Sequence, residues 1–315
     1  MDVDIHPQTR TQRPAVSLPP QLVGGLALIA VAWPLAWSHL QPYSSYTFFP
    51  LWLAYILTVD GLVQRRTSTS LLQRDPRRWV LLFLASVPLW WLFEGLNYSV
   101  HNWSYHLPWS PGGLEYAALA SLSFSTVVPA VFETAELYRS FPAFNRPRYW
   151  IRIAPSRKGL LGIIAAGIIM SIATFLFPRQ AYPLVWLGLF FILDPLNQLI
   201  GANSISSQVA HRRWDTVWVL WAAGLTCGFF WEMWNVFSMP KWTYDIPYIE
   251  GPKLFEMPLL GYGGYLPFAL EIYAFYQTFH FLLFRTRDRY LRLDWAESDG
   301  EQSVPRGGFR AEGGR

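Results

Sequence analysis

One cysteine, Cys227, stands in the whole chain, inside an apolar run, so no intrachain disulfide forms and cysteine usage is silent on redox compartment. A lone thiol there reads as a small packing residue. The six histidines, at 6, 39, 101, 106, 211 and 280, are scattered, without the His-x-x-His clusters of membrane di-iron enzymes, so no metal site is expected. Gly-rich phosphate loops and dinucleotide fingerprints are missing too, which lowers nucleotide-driven transport. Asp194-Pro195-Leu196-Asn197 is a poor substitute for a paired-aspartate magnesium diphosphate site, which lowers prenyl transfer, and no cofactor is expected. Charge is the other scarcity: 15% of residues are charged against 52% apolar, so the bilayer is the expected solvent.

What the chain holds instead is apolar runs. Stretches long enough to cross about 30 Å of hydrocarbon occur near 21–38, 46–63, 79–97, 114–138, 159–178, 184–200, 214–236 and 258–284. Together they predict an all-α, polytopic membrane protein of about eight transmembrane helices. Arginines crowd the connections after the even-numbered stretches, from Arg65 to Arg78, Arg139 to Arg157, Arg212 and Arg213, and beyond Arg285. The opposite connections carry only Arg179, Lys241 and Lys253, which puts both termini in the cytoplasm of a cell whose inner membrane holds the chain. The net charge of +4 therefore reports orientation, and no nucleic-acid partner is expected. The run from Leu22 to Ala32 could pass for a signal peptide, but a matching apolar span at 159–178 argues that it is retained. The expected division is a cytoplasmic tail at 1–20, membrane repeats at 21–145 and 146–284, and a disordered tail at 285–315. The 17 tryptophans suit interfacial belts first and an aromatic-lined cavity second.

Sliding the chain against itself reveals the repeat. Asp60 pairs with Asp194 at an offset of 134, and Arg77-Arg78-Trp79 with Arg212-Arg213-Trp214 at 135. Glu94 and Asn97 match Glu232 and Asn235 at 138, then Trp103, Tyr105, Pro108 and Gly112 match Trp242, Tyr244, Pro247 and Gly251 at 139. Pro129, Glu133 and Tyr138 match Pro267, Glu271 and Tyr276 at 138 again. Type-specific residues that keep their order through small offset changes are the mark of duplication. Four spans per half make the halves parallel, with a cavity expected between them.

Seven carboxylates, Asp60, Glu94, Glu133, Glu136, Asp194, Glu232 and Glu271, fall in spans that contain no lysine or arginine. At roughly 3 kcal/mol for each ionised carboxylate near a helix centre, seven would cost on the order of 20 kcal/mol, more than a domain's net stability. Such groups are neutral, hydrogen-bonded, near an interface or facing water, and neutral ones have a proton to give. The blander reading is that they hydrogen-bond across helices and set packing. Asn97 and Asn235, one turn on, are the expected partners of Glu94 and Glu232. Glu133 and Glu136 share a helix face and are expected to share a proton, leaving Glu271, whose half has Ala274 in place of the second acid, as the base. Pro129 is expected to free a backbone carbonyl near Glu133. Trp103, Tyr105, Trp242 and Tyr244 lie in segments, 102–112 and 241–251, that read as caps over a cavity or as headgroup anchors. His280 reads as a polar residue near the cytoplasmic interface.

Asp60, Arg65-Arg66, Arg74-Asp75-Pro76-Arg77-Arg78, Phe93-Glu94, Trp103-Ser104-Tyr105 and the proline-glutamate element of the last span resemble the integral membrane lycopene cyclases of heterodimeric bacterial and fused archaeal and fungal type. The likeness covers about residues 55–140 and more faintly 188–280, with one departure: Pro129 is followed by Glu133 and Glu136, so the family's Pro-x-Glu-Glu element is not reproduced. The resemblance implies cofactor-free acid and base chemistry on an isoprenoid or carotenoid-like lipid, through protonation of an alkene, cyclisation and loss of a proton. On that reading Glu94, Glu133, Glu232, Glu271, Asp60 and Asp194 carry the chemistry, while Asn97, Asn235, Trp103, Tyr105, Trp242, Tyr244 and Glu136 hold the substrate. A proton-coupled carrier using the same acids and a non-catalytic scaffold are the competing readings. Assembly with further copies of the chain is left open.

Overall fold

A computed structural model describes residues 17–249 and 251–293, in which helix predominates and sheet is confined to two short ribbons. The expected tail residues 1–16 and 294–315 lie outside the described residues. In chain order the helices are α1 (Pro20–Ser38), α2 (Phe48–Thr67), α3 (Leu71–Arg74), α4 (Pro76–Val100), α5 (Gly113–Phe124) and α6 (Val127–Arg139). They continue as α7 (Arg157–Leu176), α8 (Pro178–Ala181), α9 (Val185–Ile200), α10 (Ile205–Ala210), α11 (Asp215–Asn235) and α12 (Tyr265–Phe284). Strands β1 (Trp103–His106) and β2 (Lys241–Tyr244) form an antiparallel ribbon, and β3 (Lys253–Leu254) pairs with β4 (Met257–Pro258). Five helical stretches, 20–38, 76–100, 113–139, 157–176 and 178–200, are long and apolar enough to cross a membrane.

The bundle packs in matched pairs. α1 lies along α2, which meets α6; α7 lies along α9, which meets α12; α6 and α12 both flank α11. Both close pairs are made by small residues. A Cβ on Gly25 would sit 2.5 Å from the Thr58 hydroxyl, and one on Gly167 would sit 2.8 Å from the Gly188 carbonyl. Between lipid-facing helices such close backbone approach, rather than exclusion of water, supplies the packing energy.

The expected span 114–138 is present as 113–139, and the chain turns at Ser125 and Thr126 within it, between α5 and α6. Three other expectations are corrected. Pro129 then occupies the first turn of α6, where its missing N–H would have had no intrahelical partner, so it frees no carbonyl beside Glu133. Pro267 takes the same third position in α12, which starts at Tyr265 rather than near 258 because the β3–β4 hairpin and a 3₁₀ turn over Leu259–Gly264 occupy the approach. Residues 285–293, expected within a disordered tail, are packed: Tyr290, Leu291 and Leu293 are buried, and Tyr290 donates its hydroxyl to the Leu71 carbonyl at 2.9 Å. Arg74 and Arg139 hold this segment through the Tyr290 and Leu293 carbonyls.

Candidate functional site

The ribbon of β1 and β2 organises one end of the bundle. Its register sets Trp103 opposite Tyr244 and Tyr105 opposite Trp242, with Ser104 against Thr243 at the centre. Exchanging repeat-matched residues maps one outer pair onto the other. An asparagine at the end of each preceding helix grips its strand: Asn97 donates to the Trp103 carbonyl at 2.8 Å and accepts from its N–H at 3.3 Å, and Asn235 does the same to Trp242 at 2.7 and 2.8 Å. These amides are therefore strand clamps, and the expectation that they bond Glu94 and Glu232 is corrected. A side-chain amide carries both donor and acceptor and satisfies a peptide unit in full, which a carboxylate does not.

The glutamates receive the strand side chains instead. Glu94 accepts the Tyr105 hydroxyl at 2.7 Å, the Trp90 indole N–H at 2.9 Å and the Trp103 indole N–H at 3.1 Å. Glu232 accepts the Tyr244 hydroxyl at 2.6 Å and the Tyr265 hydroxyl at 2.7 Å, and Trp242 donates to the Tyr244 oxygen at 2.7 Å. Burial first, then the neighbouring carboxylate, pushes the phenols of Tyr105 and Tyr244 up from their ordinary value, which keeps both as donors.

These side chains wall a cavity of about 520 Å³. Its lining includes Trp52, Trp90, Trp103, Tyr105, Trp186, Trp231, Trp242, Tyr244, Tyr265 and Phe268, with residues of both sequence halves. Phe268 stands in the middle, since the rings of Trp90, Phe93, Trp186 and Trp231 all pack on it with centroids 5.5 to 6.2 Å away. Glu94 and Glu232 stand behind the wall, so the phenols and indoles are what a ligand would touch. The volume and lining fit an apolar ligand with a few polar contacts, and the ring faces would stabilise a cation by up to about 2 kcal/mol each when desolvated.

The remaining predicted acids lie elsewhere. Asp60 accepts the Leu72 N–H at 3.0 Å and the Gln21 amide at 3.0 Å; Asp194 accepts the N–H groups of Ile205 and Ser206 at 2.6 and 2.8 Å. Each thus closes the first turn of the short helix that follows, α3 or α10, beside a capping serine at 70 or 204. The geometry gives both aspartates a structural task. Asp194→Ala strips one buried and one half-buried amide of their acceptor, and the expected cost is about 1–3 kcal/mol. Thermal unfolding in detergent should drop accordingly, and an unchanged midpoint would remove the capping assignment.

Glu133 is buried, accepts the Trp79 indole N–H at 2.8 Å and faces Asp60. Glu136 forms an ion pair with Arg74. The expected shared proton between Glu133 and Glu136 is corrected by that pairing, because Arg74 reaches in from a connection rather than from a span. Glu271 is fully buried against the backbone of Leu189 and Phe190. It lies one turn beyond Pro267, outside the cavity wall. His280 is buried between Asp288, at 3.7 Å, and Arg78, at 3.5 Å.

Tyr265, Trp90, Trp186, Trp231 and Phe268 escaped the sequence reading. At the repeat offset of 138, Trp90 aligns with Gly228 and Val127 with Tyr265, two of the many positions at which the halves differ between their matched residues. Comparison of the chain with protein-family models, curated proteins and solved structures matched none of them.

Proposed function

We propose that the chain is a membrane-embedded enzyme that uses carboxyl–phenol pairs for acid and base chemistry on an isoprenoid or carotenoid-like lipid held in the aromatic cavity. The observation that carries this reading is the placement of two repeat-matched sites, Glu94 with Tyr105 and Glu232 with Tyr244, behind a single wall of tryptophan, tyrosine and phenylalanine. Glu232 is buried and linked to two phenols, a setting for proton transfer, and a ring-lined, largely apolar cavity suits both a hydrocarbon chain and the carbocation that protonation makes of it. The resemblance to membrane lycopene cyclases points the same way. In this reading the roles assigned to acids in the sequence fall to Glu94 and Glu232, while Asp60 and Asp194 hold the fold.

The same proposal takes the chain as eight spans in two parallel four-helix halves, with both termini in the cytoplasm. The symmetric ribbon, the paired capping aspartates and the shared third-position prolines of α6 and α12 support the duplication. Reporter fusions after Arg152 and after Arg292 are expected to behave alike, as cytoplasmic; reporters on opposite sides would break the parallel arrangement. For the chemistry, lipid and pigment profiles of cells with and without the chain are the test. An isoprenoid that accumulates in its absence, paired with an isomer or cyclised product in its presence, is expected. Identical profiles in a host that makes linear carotenoids would contradict the assignment.

A further inference from the structure

The two carboxyl sites are not chemically equal, and the difference traces to a reciprocal exchange. In the first half Trp90, one turn before Glu94, donates its indole N–H to it, and the position matched to Trp90 in the second half is Gly228. A Cβ on Gly228 would press into the ring of Tyr265, so the missing side chain is the space that ring occupies. Tyr265 in turn matches Val127, which has no polar atom to offer; both line the cavity. An indole donor in one half has thus been traded for a phenol donor in the other. Around Glu94 two of three donors are indole N–H groups, which give a hydrogen bond but have no lone pair with which to pass a proton on. Around Glu232 the two direct donors are phenols, which give and take, while the nearby Trp242 indole donates to the Tyr244 oxygen. The second carboxylate oxygen of Glu232 has no partner among the described residues, so the group is not locked by bonds on both sides.

Building on the isoprenoid reading above, we propose that, of the two carboxyl sites, the second carries the proton donation: Tyr265 is the catalytic residue that hands the proton to the substrate, with Glu232 replenishing it. In the step, the Tyr265 hydroxyl, which donates to Glu232 at rest, turns to the alkene, whose π pair takes its proton and forms a C–H bond, leaving a carbocation, while the protonated Glu232 carboxyl becomes the donor and passes its proton to the phenolic oxygen. The cation closes when the electrons of a neighbouring C–H bond form a new alkene. That proton returns to Glu232 through the same phenol, so the reaction is an isomerisation that consumes nothing. Trp231, stacked on Tyr265 with planes 23° apart, fixes the ring that delivers the proton.

The test uses the full chain in lipid nanodiscs made up in D2O, with lycopene as probe. Energy transfer from tryptophan to the polyene reports binding, and mass spectrometry of the recovered hydrocarbon reports deuterium. Wild type is expected to show both signals. Tyr265→Phe keeps the ring and should bind as wild type while deuterium uptake falls by about 100-fold or more. The paired change Gly228→Trp with Tyr265→Val, which copies the first site into the second, should also bind and lose uptake. Undiminished uptake in a Tyr265→Phe protein that binds lycopene overturns the assignment of Tyr265 and leaves the isoprenoid reading standing. Wild type that binds lycopene without taking up deuterium overturns proton transfer to it, and wild type that shows neither signal overturns both.

Discussion

Glu232→Gln is expected to abolish turnover while the cavity keeps its shape. Glutamine has nearly the same volume, and its carbonyl oxygen still accepts the Tyr244 and Tyr265 hydroxyls that now reach Glu232 at 2.6 and 2.7 Å. What it loses is the ability to hold and release a proton. A positioned general acid is worth about 100- to 10,000-fold, so kcat should fall by that factor. KM should stay within a few-fold, because the wall residues that touch the substrate are unchanged. Glu94→Gln should cost less, since its indole neighbours are built to donate hydrogen bonds rather than to exchange protons. Kinetics on the substrate found by profiling give the answer, and a Glu232→Gln protein with full kcat would return the carboxylate to a packing role.

The largest effect on folding is expected from the two glycines that let the outer helices approach. Leucine at Gly25 must fit where a first carbon already lies 2.5 Å from Thr58, and leucine at Gly167 where it lies 2.8 Å from a backbone carbonyl. Backbone cannot swing aside as a flexible side chain can. Overpacking costs about 1–3 kcal/mol where neighbours give, and at these seams α1 or α7 must separate from its partner. Each single leucine variant should lower the yield of monodisperse protein in detergent, and the pair should leave almost none. Leucine at Gly24, beside open space on α1, is the control expected to behave as wild type. Equal yields across all of them would mean that the helix seams are looser than described.

Much of this arrangement is legible from residue order because the bilayer imposes strong, local rules. Apolar runs, basic connections and type-specific matches placed Glu94, Glu232, Trp103, Tyr105, Trp242 and Tyr244 near one another before any coordinates. Partners were harder. Asn97 and Asn235 share a helix face with the glutamates, but whether an amide bonds a carboxylate or a strand is decided by the β1–β2 register, which joins residues far apart in the chain. Glu136 looked unpaired because its cation, Arg74, lies in a connection that folds back. Residues 285–293 read as tail by composition, although Tyr290, Leu291 and Leu293 were apolar side chains in search of a surface. Tyr265 was hidden for a different reason: its counterpart is a valine, and a repeat comparison that rewards identity passes over the position where the halves differ in chemistry.

The central claim is that one aromatic cavity between the halves holds an isoprenoid beside Glu232. Photo-crosslinking tests it most directly, with a geranylgeraniol analogue that carries a diazirine on its hydrocarbon chain. Membranes holding the full chain would be irradiated and the adducts mapped by mass spectrometry. Adducts concentrated on Trp90, Trp186, Trp231, Tyr265 and Phe268, and competed away by unlabelled geranylgeraniol, are the predicted result. Adducts confined to the exposed faces of α1 and α7, at residues such as Val31, Ile169 and Leu176, and indifferent to competitor, would contradict it.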